Sequence, residues 1–303
     1  MRNMDEVDNS FRLVVMSDSQ GYDNGINETA LRKLLDTVKS LEPQPRYIVF
    51  TGDLVTGSKL NTTLQSQLEN FKRVFSSYFP AERLLSAAGN HDLGRRAEDD
   101  CREIMFSKVF SEHAGDDFLN GYNRTVYYLD IGGTRLILLN SYHYDECNEI
   151  SGEQLEWFEK VVSKPAHHKI VFVHSPPFPT GAHVNKPLNK YPYEQYNFWS
   201  IIDRNDVSLI ICGHEHNYSR RLIDEKFNRG CFKFSRGIYQ IITGGAGGKL
   251  SDSFRDSKNV IVPPKPVNHF VVLDISNIGI TVTAISIDGA VIDSFELKKG
   301  LEQ

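Results

Sequence analysis

Short apolar runs along this chain alternate with longer segments whose apolar residues recur at helical spacing. The runs are rich in β-branched residues, and they are FRLVVMS, RYIVFTG, RLILLNS, KIVFVHS and VSLIICG. The helix-like segments cover about residues 27–41, 61–79, 98–112, 151–163 and 194–204. Alternation of this kind predicts an α/β fold in which helices cover the faces of a sheet.

After residue 235 the pattern changes to strands joined by tight turns, in GIYQIITGG, HFVVLDIS and GITVTAISIDGAVIDSFEL. Asp288 and Gly289 in the last segment predict a β-hairpin turn. The segment VPPKPV, residues 262–267, predicts a loop stiffened by proline. Because no repeat or linker divides the chain, we expect one domain over residues 1–303, with its core in about 11–297 and helices outside two packed sheets.

Composition and charge narrow the class of protein. The chain has 303 residues, of which 40% are hydrophobic and 24% charged, so it can bury a large core. A formal net charge of -5, without a run of Lys and Arg, argues against nucleic acid as a partner. No stretch approaches the ~20 apolar residues of a membrane-spanning helix, and the polar amino terminus does not resemble a signal peptide. Four widely spaced cysteines suit a reducing compartment, so we expect a cytoplasmic protein without a membrane partner.

Candidate metal ligands follow five of the predicted strands. The carboxyl ends of strands in an open α/β sheet form the crevice where ligands bind, so residues at these ends can meet at one site. The five sets are Asp18, Asp53, Asn90-His91-Asp92, His174 and His214-Glu215-His216. Each set alone is weak evidence, because a single Asp is often a turn or cap residue and a single His is often structural. Their order, D, G-D, G-N-H-D, H and G-H-x-H, indicates a shared site for metal ions.

The ligand types favour a site for two metals. Asp53 can bridge two cations with its carboxylate oxygens, and a water or hydroxide shared by the cations would be the nucleophile. In this interpretation, Asp18 and His216 complete the coordination of one metal. Asn90, His174 and His214 complete the coordination of the other metal. Mixed carboxylate, amide and imidazole ligands suit Mn, Fe or Zn better than Ca or Mg.

His91 and Asp92 are the candidate catalytic residues. His91 directly follows the predicted Asn90 ligand and is placed to point into the crevice instead of at the metals. As an imidazolium it could stabilise a phosphoryl oxygen or protonate the leaving oxygen. Asp92 is placed to orient His91 and to favour its charged form, and the alternative is that Asp92 only caps the next helix.

At these residues the sequence resembles the calcineurin-like metallophosphoesterase superfamily. The motifs appear here as DSQ, GDLV, GNHD, VFVHSPP and GHEHNYSRR, in an order that covers residues 18–216. The resemblance implies a four-layer α/β/β/α sandwich with two packed mixed β-sheets, and hydrolysis of phosphate esters at two metals. Purple acid phosphatases look closest, through GHEHNYSRR, HSPPFPTGAH and YQIITGGAGG.

Two further residues are candidates for substrate binding. The likeness to purple acid phosphatases makes His183 a phosphate-contacting histidine, and the alternative is an exposed loop histidine. Arg95 is a second candidate contact for the substrate phosphate, with a merely solvated charge as the alternative.

Three positions depart from the patterns of related enzymes. Thr56 stands where purple acid phosphatases have an iron-binding tyrosine, so their violet colour is not expected. GDLVTGS lacks the second Asp and the Arg of the G-D-x-V-D-R-G motif of protein serine/threonine phosphatases, which disfavours that subclass. Gln20 replaces the His of the first motif, as in a subgroup that carries D-x-Q. We favour Gln20 as a direct ligand through its carbonyl oxygen, over a donor to metal-bound water or a bystander.

These features predict an enzyme that hydrolyses phosphate monoesters by attack of a metal-bridging water or hydroxide. The substrate would be a small phosphorylated molecule or a phosphoprotein. A phosphodiesterase of the cyclic-nucleotide or nucleic-acid type is the close alternative, because the sequence does not reveal the room around a second ester group. A catalytically impaired metal-binding scaffold is the alternative from another class, and the presence of His91 speaks against it.

Overall fold

A computed structural model describes residues 10–94, 99–181, 183–184, 186–227 and 232–298. The helices within these residues are α1 (Glu28–Lys39), α2 (Asn61–Ser76), α3 (Asn90–Leu93), α4 (Cys101–Val109), α5 (Gly152–Val162) and α6 (Pro192–Arg204). The strands are β1 (Phe11–Met16), β2 (Gln20–Asp23), β3 (Tyr47–Phe50), β4 (Leu84–Ser86), β5 (Asp117–Phe118), β6 (Tyr127–Ile131), β7 (Thr134–Leu139), β8 (His168–Val173), β9 (Leu209–Cys212), β10 (Tyr218–Ile223), β11 (Ile238–Thr243), β12 (Val260–Lys265), β13 (His269–Ser276), β14 (Gly279–Ser286) and β15 (Val291–Lys298).

The first sheet has the strand order β15-β14-β13-β1-β3-β4. Strands β1, β3 and β4 run parallel, whereas β13, β14 and β15 form an antiparallel meander beside β1. Val14 of β1 lies between Ile48 of β3 and Val272 of β13. A strand that is paired on both sides and covered on both faces needs an almost continuous apolar sequence, which FRLVVM provides.

The second sheet has the strand order β12-β10-β11-β9-β8-β7-β6-β5. Its centre is the parallel set β7, β8, β9 and β11, and the outer pairings are antiparallel. Both sheets are therefore mixed. The parallel strands of each sheet end at one edge, and the candidate ligands follow strands of both sheets at that edge.

The two sheets pack face to face, and helices cover their outer faces. Alternate residues of β1 divide accordingly, because Leu13 and Val15 belong to the core between the sheets while Val14 and Met16 belong to the core under the helices. Helices α1, α2 and α4 pack on the first sheet, and α5 and α6 pack on the second. The predicted four-layer α/β/β/α sandwich with two mixed sheets is confirmed.

The observed elements lie close to those that the apolar pattern predicts. The stripe of α1 is buried as expected, and the Asn27 side chain accepts a hydrogen bond from the Ala30 N–H (3.2 Å) at the start of this helix. Strands β14 and β15 form the predicted hairpin, in which Gly289 has a positive φ of 83°. No helix in the described part of the chain combines the length and apolar character of a membrane span.

The prediction of a loop at residues 262–267 is wrong for most of that segment. Val260–Lys265 is an edge strand, β12, which pairs with β10 alone. Pro263 and Pro264 have no N–H to donate, and an edge strand leaves one side of its backbone without a partner strand. Register shifts along the β10–β12 pairing accommodate the two rings, so proline weakens this strand without preventing it.

Candidate metal centre

Side chains from the ends of both sheets meet in one buried cluster. The Asp18 carboxylate accepts a hydrogen bond from the His214 N–H at 2.9 Å, although the two residues are 196 positions apart. The Asp53 carboxylate accepts one from the His91 N–H at 2.8 Å. His174 brings the second sheet to the same place, with Nε2 3.3 Å from Oδ2 of Asp53. The five predicted sets of residues therefore converge.

One group of potential ligand atoms surrounds Asp53. Asp53, His174 and His214 are buried and offer three ligand atoms that all lie within 4.8 Å of one another. Nε2 of His174 is 3.1 Å from Nδ1 of His214, so two imidazole nitrogens face each other with a carboxylate beside them. Two imidazole nitrogens and a carboxylate oxygen at these distances form a donor set that a cation can bind in place of protons.

A second group surrounds Asp18. Nε2 of His216 lies 3.3 Å from Oδ1 of Asp18. The Gln20 amide nitrogen lies 3.2 Å from Nε2 of His216 and 3.3 Å from Oδ2 of Asp53. Gln20 therefore lies between the two groups. Its distances to His216 and Asp53 are similar to those between two ligand atoms bound to the same metal.

Three buried oxygen atoms of the cluster have no hydrogen-bond partner among the described residues. They are Oδ1 of Asp18, which has the ion-pair contact with His216 described above but no hydrogen bond, Oε1 of Gln20 and Oδ1 of Asn90. An unpartnered buried acceptor costs about 1–3 kcal/mol, so three of them in one cluster need a compensating ligand. Oxygen acceptors next to converging imidazole nitrogens form a donor set that fits metal ions of the Mn, Fe or Zn type.

Backbone carbonyl groups orient two of the histidines. Nδ1 of His174 donates to the Thr51 carbonyl at 2.8 Å, and Nδ1 of His216 donates to the Lys249 carbonyl at 2.8 Å. In both residues this contact leaves Nε2 directed at the carboxylates. A histidine ligand held through its other nitrogen in this way has a fixed tautomer and ring orientation.

The charges of the cluster are strongly coupled. Burial disfavours the Asp53 carboxylate, but His174 outweighs this effect and holds the pKa of Asp53 well below its usual range. Burial likewise opposes protonation of His174 and His216, yet the carboxylates beside them raise each pKa to about 9. Burial and the charge of His174 lower the pKa of His214. Positive charge next to the carboxylates is thus strongly favoured, whether protons or metal ions supply it.

The backbone is unusual at three of the candidate ligands. Asp18, Asp53 and His214 have φ values of 64°, 50° and 70°, in the left-handed region that side chains other than glycine seldom adopt. Such strain is concentrated at functional sites. Glycine at the motif positions permits the close approach, since a Cβ on Gly89 would lie 2.2 Å from Oδ1 of Asp53 and one on Gly213 would lie 2.6 Å from Oδ2 of Asp18.

His91 lies at the open side of the cluster. Its Nδ1 donates to the carbonyl oxygen of Thr56, and its Nε2 is 3.9 Å from Oδ2 of Asp53. The side chain is 33% exposed, compared with 22% for His216, so a molecule in the crevice can reach it. These contacts hold the ring at the edge of the candidate metal centre, with Nε2 directed at Asp53.

Asp92 does not make the contact with His91 that the sequence suggested. Its carboxylate accepts from the backbone N–H groups of Leu54 (3.0 Å), Val55 (3.3 Å) and Gly89 (2.9 Å), and burial raises the pKa of Asp92 to about 8. The interpretation that Asp92 orients His91 is corrected here, because the Thr56 carbonyl holds that ring. Asp92 instead ties the start of its own helix α3 to the loop after β3, and a direct part in catalysis stays a prediction.

The two predicted substrate contacts have different outcomes. The His183 ring lies beside the His214 ring, with 4.2 Å between their centroids, and the structure thus brings His183 to the cluster. Arg95 lies outside the described residues.

Sequence reasoning missed several groups around the cluster. The carbonyl groups of Thr51, Thr56 and Lys249 carry no sequence signal, because any residue type supplies a carbonyl. Glu215 was included in the predicted set His214-Glu215-His216, but its own role was not predicted: its carboxylate binds the loop that carries His183. An acidic side chain between two predicted ligand histidines was the signal that could have identified this role.

Comparisons with known proteins assign the chain to a family. The model of the calcineurin-like phosphoesterase family matches residues 11–218, a range that includes every predicted metal ligand. The chain belongs to this family. The predicted resemblance and the general class of enzyme, a phosphoesterase, are thereby confirmed.

Individual relatives are distant. The zebrafish (Danio rerio) protein named serine/threonine-protein phosphatase CPPED1 is 25% identical over 268 residues, which are 82% of this chain and 75% of that protein. The human (Homo sapiens) protein of the same name is 26% identical over 184 residues, 57% of this chain and 54% of its own length. A purple acid phosphatase from yellow lupin (Lupinus luteus) has a TM-score of 0.70 at 17% identity, and the match covers 95% of this chain and 54% of that one. The match spans about half of the human and lupin proteins, and the lupin likeness concerns the fold.

Proposed function

We propose that this protein hydrolyses phosphate monoesters with two metal ions bound at the cluster. The observation that carries the proposal is the set of three buried oxygen atoms without hydrogen-bond partners beside facing imidazole nitrogens. Membership of the calcineurin-like phosphoesterase family supports the reaction class. The ligands follow strands of both sheets, which also supports the prediction that the chain forms one domain.

Each proposed metal has its own set of residues. Asp18, Gln20 and His216 would hold one metal, Asn90, His174 and His214 would hold the other, and Asp53 would contribute to both. When bound, the two ions activate water for attack on phosphorus and neutralise charge on the phosphoryl oxygens. The donors favour Mn, Fe or Zn over Ca and Mg.

His91 is the proposed catalytic residue of the chain itself. The Thr56 carbonyl fixes its Nδ1–H, so Nε2 is the nitrogen that can carry a second proton towards the substrate. A proton on Nε2, which lies 3.9 Å from Oδ2 of Asp53, can be donated to a phosphoryl oxygen or to the leaving oxygen. His183, beside the ring of His214, is proposed to contact the phosphate from the opposite loop.

Gln20 is proposed to bind its metal through the carbonyl oxygen. The amide atom that faces Asp53 and His216 is the nitrogen in the present placement, at 3.3 and 3.2 Å. Oxygen and nitrogen of an amide have almost the same shape, so a half-turn of the group puts Oε1 at these distances. The half-turn would give the cation an oxygen ligand where the related first motif has imidazole.

The relatives point to a phosphoprotein as one class of substrate. The zebrafish and human relatives bear the name serine/threonine-protein phosphatase, although the chain lacks the second Asp and the Arg of the G-D-x-V-D-R-G motif. We therefore propose that a phosphorylated side chain of a protein, or a small phosphomonoester, is the substrate. A cytoplasmic location is proposed on the cysteine content alone.

The test combines metal analysis with hydrolysis of 4-nitrophenyl phosphate, a phosphoserine peptide and bis(4-nitrophenyl) phosphate. We expect two metals per chain and faster turnover of the monoesters than of the diester. His91→Gln should lower turnover by about 10²-fold and retain both metals, because it removes a proton donor without removing a ligand. Preference for the diester would favour the phosphodiesterase alternative. A fully loaded protein that hydrolyses none of the three would favour the scaffold.

A further inference from the structure

Glu215 lies between the proposed ligands His214 and His216, yet its carboxylate binds a neighbouring loop. The side chain is buried, with 1% of its surface exposed. Thr180 donates to Oε2 from its N–H at 2.8 Å and from its hydroxyl at 2.9 Å. Gly181 donates its N–H to Oε1 at 2.8 Å, and the His183 N–H lies 3.3 Å from the same oxygen. One carboxylate thus collects four donors from a four-residue stretch of chain.

The loop is held on its other side as well. The Thr180 carbonyl accepts from the N–H groups of Arg255 (2.8 Å) and Asp256 (3.1 Å). A Cβ on Gly181 would lie 2.3 Å from the carbonyl oxygen of Ser253, so the two stretches are in direct contact. The Glu215 carboxylate thus joins this loop to the G-H-E-H turn.

We propose that Glu215 is a positioning residue, which fixes Thr180, Gly181 and His183 so that His183 lies beside His214 and meets the substrate phosphate. The ring centroids of His183 and His214 are 4.2 Å apart, and Glu215 is the chain neighbour of His214. The same turn that presents two metal ligands thereby also determines where the substrate contact stands. This inference rests on the proposed function for the role of His183, and on the contacts alone for the role of Glu215.

A carboxylate is the side chain that this position requires. Its two oxygens accept only, and the three backbone partners are N–H groups that can only donate. The amide of Glu215→Gln would match the size but would turn N–H groups towards backbone N–H groups on one side. If Glu215 only fills space, Glu215→Gln should leave KM unchanged. If its carboxylate positions the loop, the same substitution should raise KM.

The first test measures metal content and the kinetics of 4-nitrophenyl phosphate hydrolysis for Glu215→Gln. We expect both metals to stay bound, KM to rise about tenfold, and kcat to change by less than about threefold. Thr180→Val removes the hydroxyl donor and keeps a side chain of similar shape, so it should raise KM by a smaller factor than Glu215→Gln does. Loss of metal, or an unchanged KM in both variants, would overturn the proposal.

A double-mutant comparison tests whether Glu215 acts through His183. His183→Ala should raise KM, and adding Glu215→Gln to it should produce no further rise, because the positioned group is already absent. Independent, multiplicative effects would contradict the inference.

Hydrogen exchange separates failure of this proposal from failure of the proposed function. In the metal-loaded protein, Glu215→Gln should accelerate exchange of the amides of Thr180, Gly181 and His183 and leave the sheets unchanged. This measurement needs no turnover, so it remains decisive for the loop contact if the wild-type protein hydrolyses no phosphate ester. Unchanged exchange in the loop would refute the positioning role, even in an active enzyme.

Discussion

The candidate metal centre can be compared with a second buried cluster of histidine and acidic residues, around Glu103, in the described part of the chain, and the hydrogen bonding of the two differs. In the Glu103 cluster, Nδ1 of His143 donates to both carboxylate oxygens of Glu103, at 2.9 and 3.1 Å. Asn140 and Asn123 each donate to one of these oxygens, at 3.3 Å. Every carboxylate oxygen of Glu103 thus has donors from the protein. The metal centre instead contains carboxylate and amide oxygens without partners and imidazole nitrogens that face each other.

The difference separates a structural ion pair from a binding site. A cluster that satisfies all of its own polar atoms gains nothing from a cation, whereas a cluster of unpartnered acceptors is stabilised when a cation enters. Burial and charge alone do not make this distinction, because both clusters are buried and both contain raised histidine pKa values. The distinction depends on whether each buried acceptor has a hydrogen-bond donor from the protein.

The largest expected effect is from Asp53→Asn, which removes the residue proposed to bridge the metals. Turnover of 4-nitrophenyl phosphate should fall by about 10³-fold or more, and metal content measured by mass spectrometry should fall with it. Glu103→Gln is the matched control, since it removes one buried carboxylate from the other cluster. Equal metal loss in the two variants would erase the distinction between the clusters.

Removal of metal should lower stability through the metal centre. A bound ion at a free concentration 100-fold above its Kd adds about 2.7 kcal/mol to the free energy of unfolding, and a chelator removes this contribution. Urea unfolding with and without EDTA measures it. Glu103→Gln should show the same difference as the wild-type protein, and Asp53→Asn should show little. A chelator effect that depends on Glu103 would contradict the proposed location of the metals.

The Glu103 cluster should show its own dependence on pH. Burial disfavours the charge of His143, but Glu103 outweighs this and raises the pKa of His143. The charged pair therefore contributes fully below the ordinary histidine pKa of ~6.5, and the contribution is lost as pH rises through the raised pKa. His143→Gln, which keeps a donor without the charge, should cost about 2 kcal/mol at pH 5.5 and less at pH 9 in urea unfolding. A cost that grows with pH would reverse the assigned sign.

The smallest effect is expected from Gln20→His. Imidazole is a stronger ligand than an amide oxygen for metals of the Mn, Fe or Zn type, so affinity for one metal should rise by about tenfold, measured by competition with a chelator. Gln20→Leu should lower it in the same assay. Unchanged affinity in both variants would make Gln20 a bystander.

Most of the fold followed from the spacing of apolar residues. The stripe of α1 and the continuous apolar runs of β1, β8 and β9 predicted their own burial, because period and length distinguish helix from buried strand. The edge strand β12 was predicted to be a loop because proline cannot donate a backbone hydrogen bond. At an edge, however, one side of the strand has no partner strand, so the missing N–H groups cost less there. Whether a strand lies at an edge is a property of the assembled sheet.

The chain by itself determined which residue types stand at the strand ends: Asp18, Asp53, Asn90, His174 and the pair of His214 and His216. Ligand chemistry depends on side-chain identity, which the sequence states directly. Only the tertiary structure decided how the rings of His174, His91 and His216 are held: by the Thr51, Thr56 and Lys249 carbonyls, respectively, which carry no side-chain signal. It also turned Asp92 to the backbone and the Glu215 carboxylate to the His183 loop. Such contacts join residues far apart in the chain, and packing of the two sheets is what brings them together.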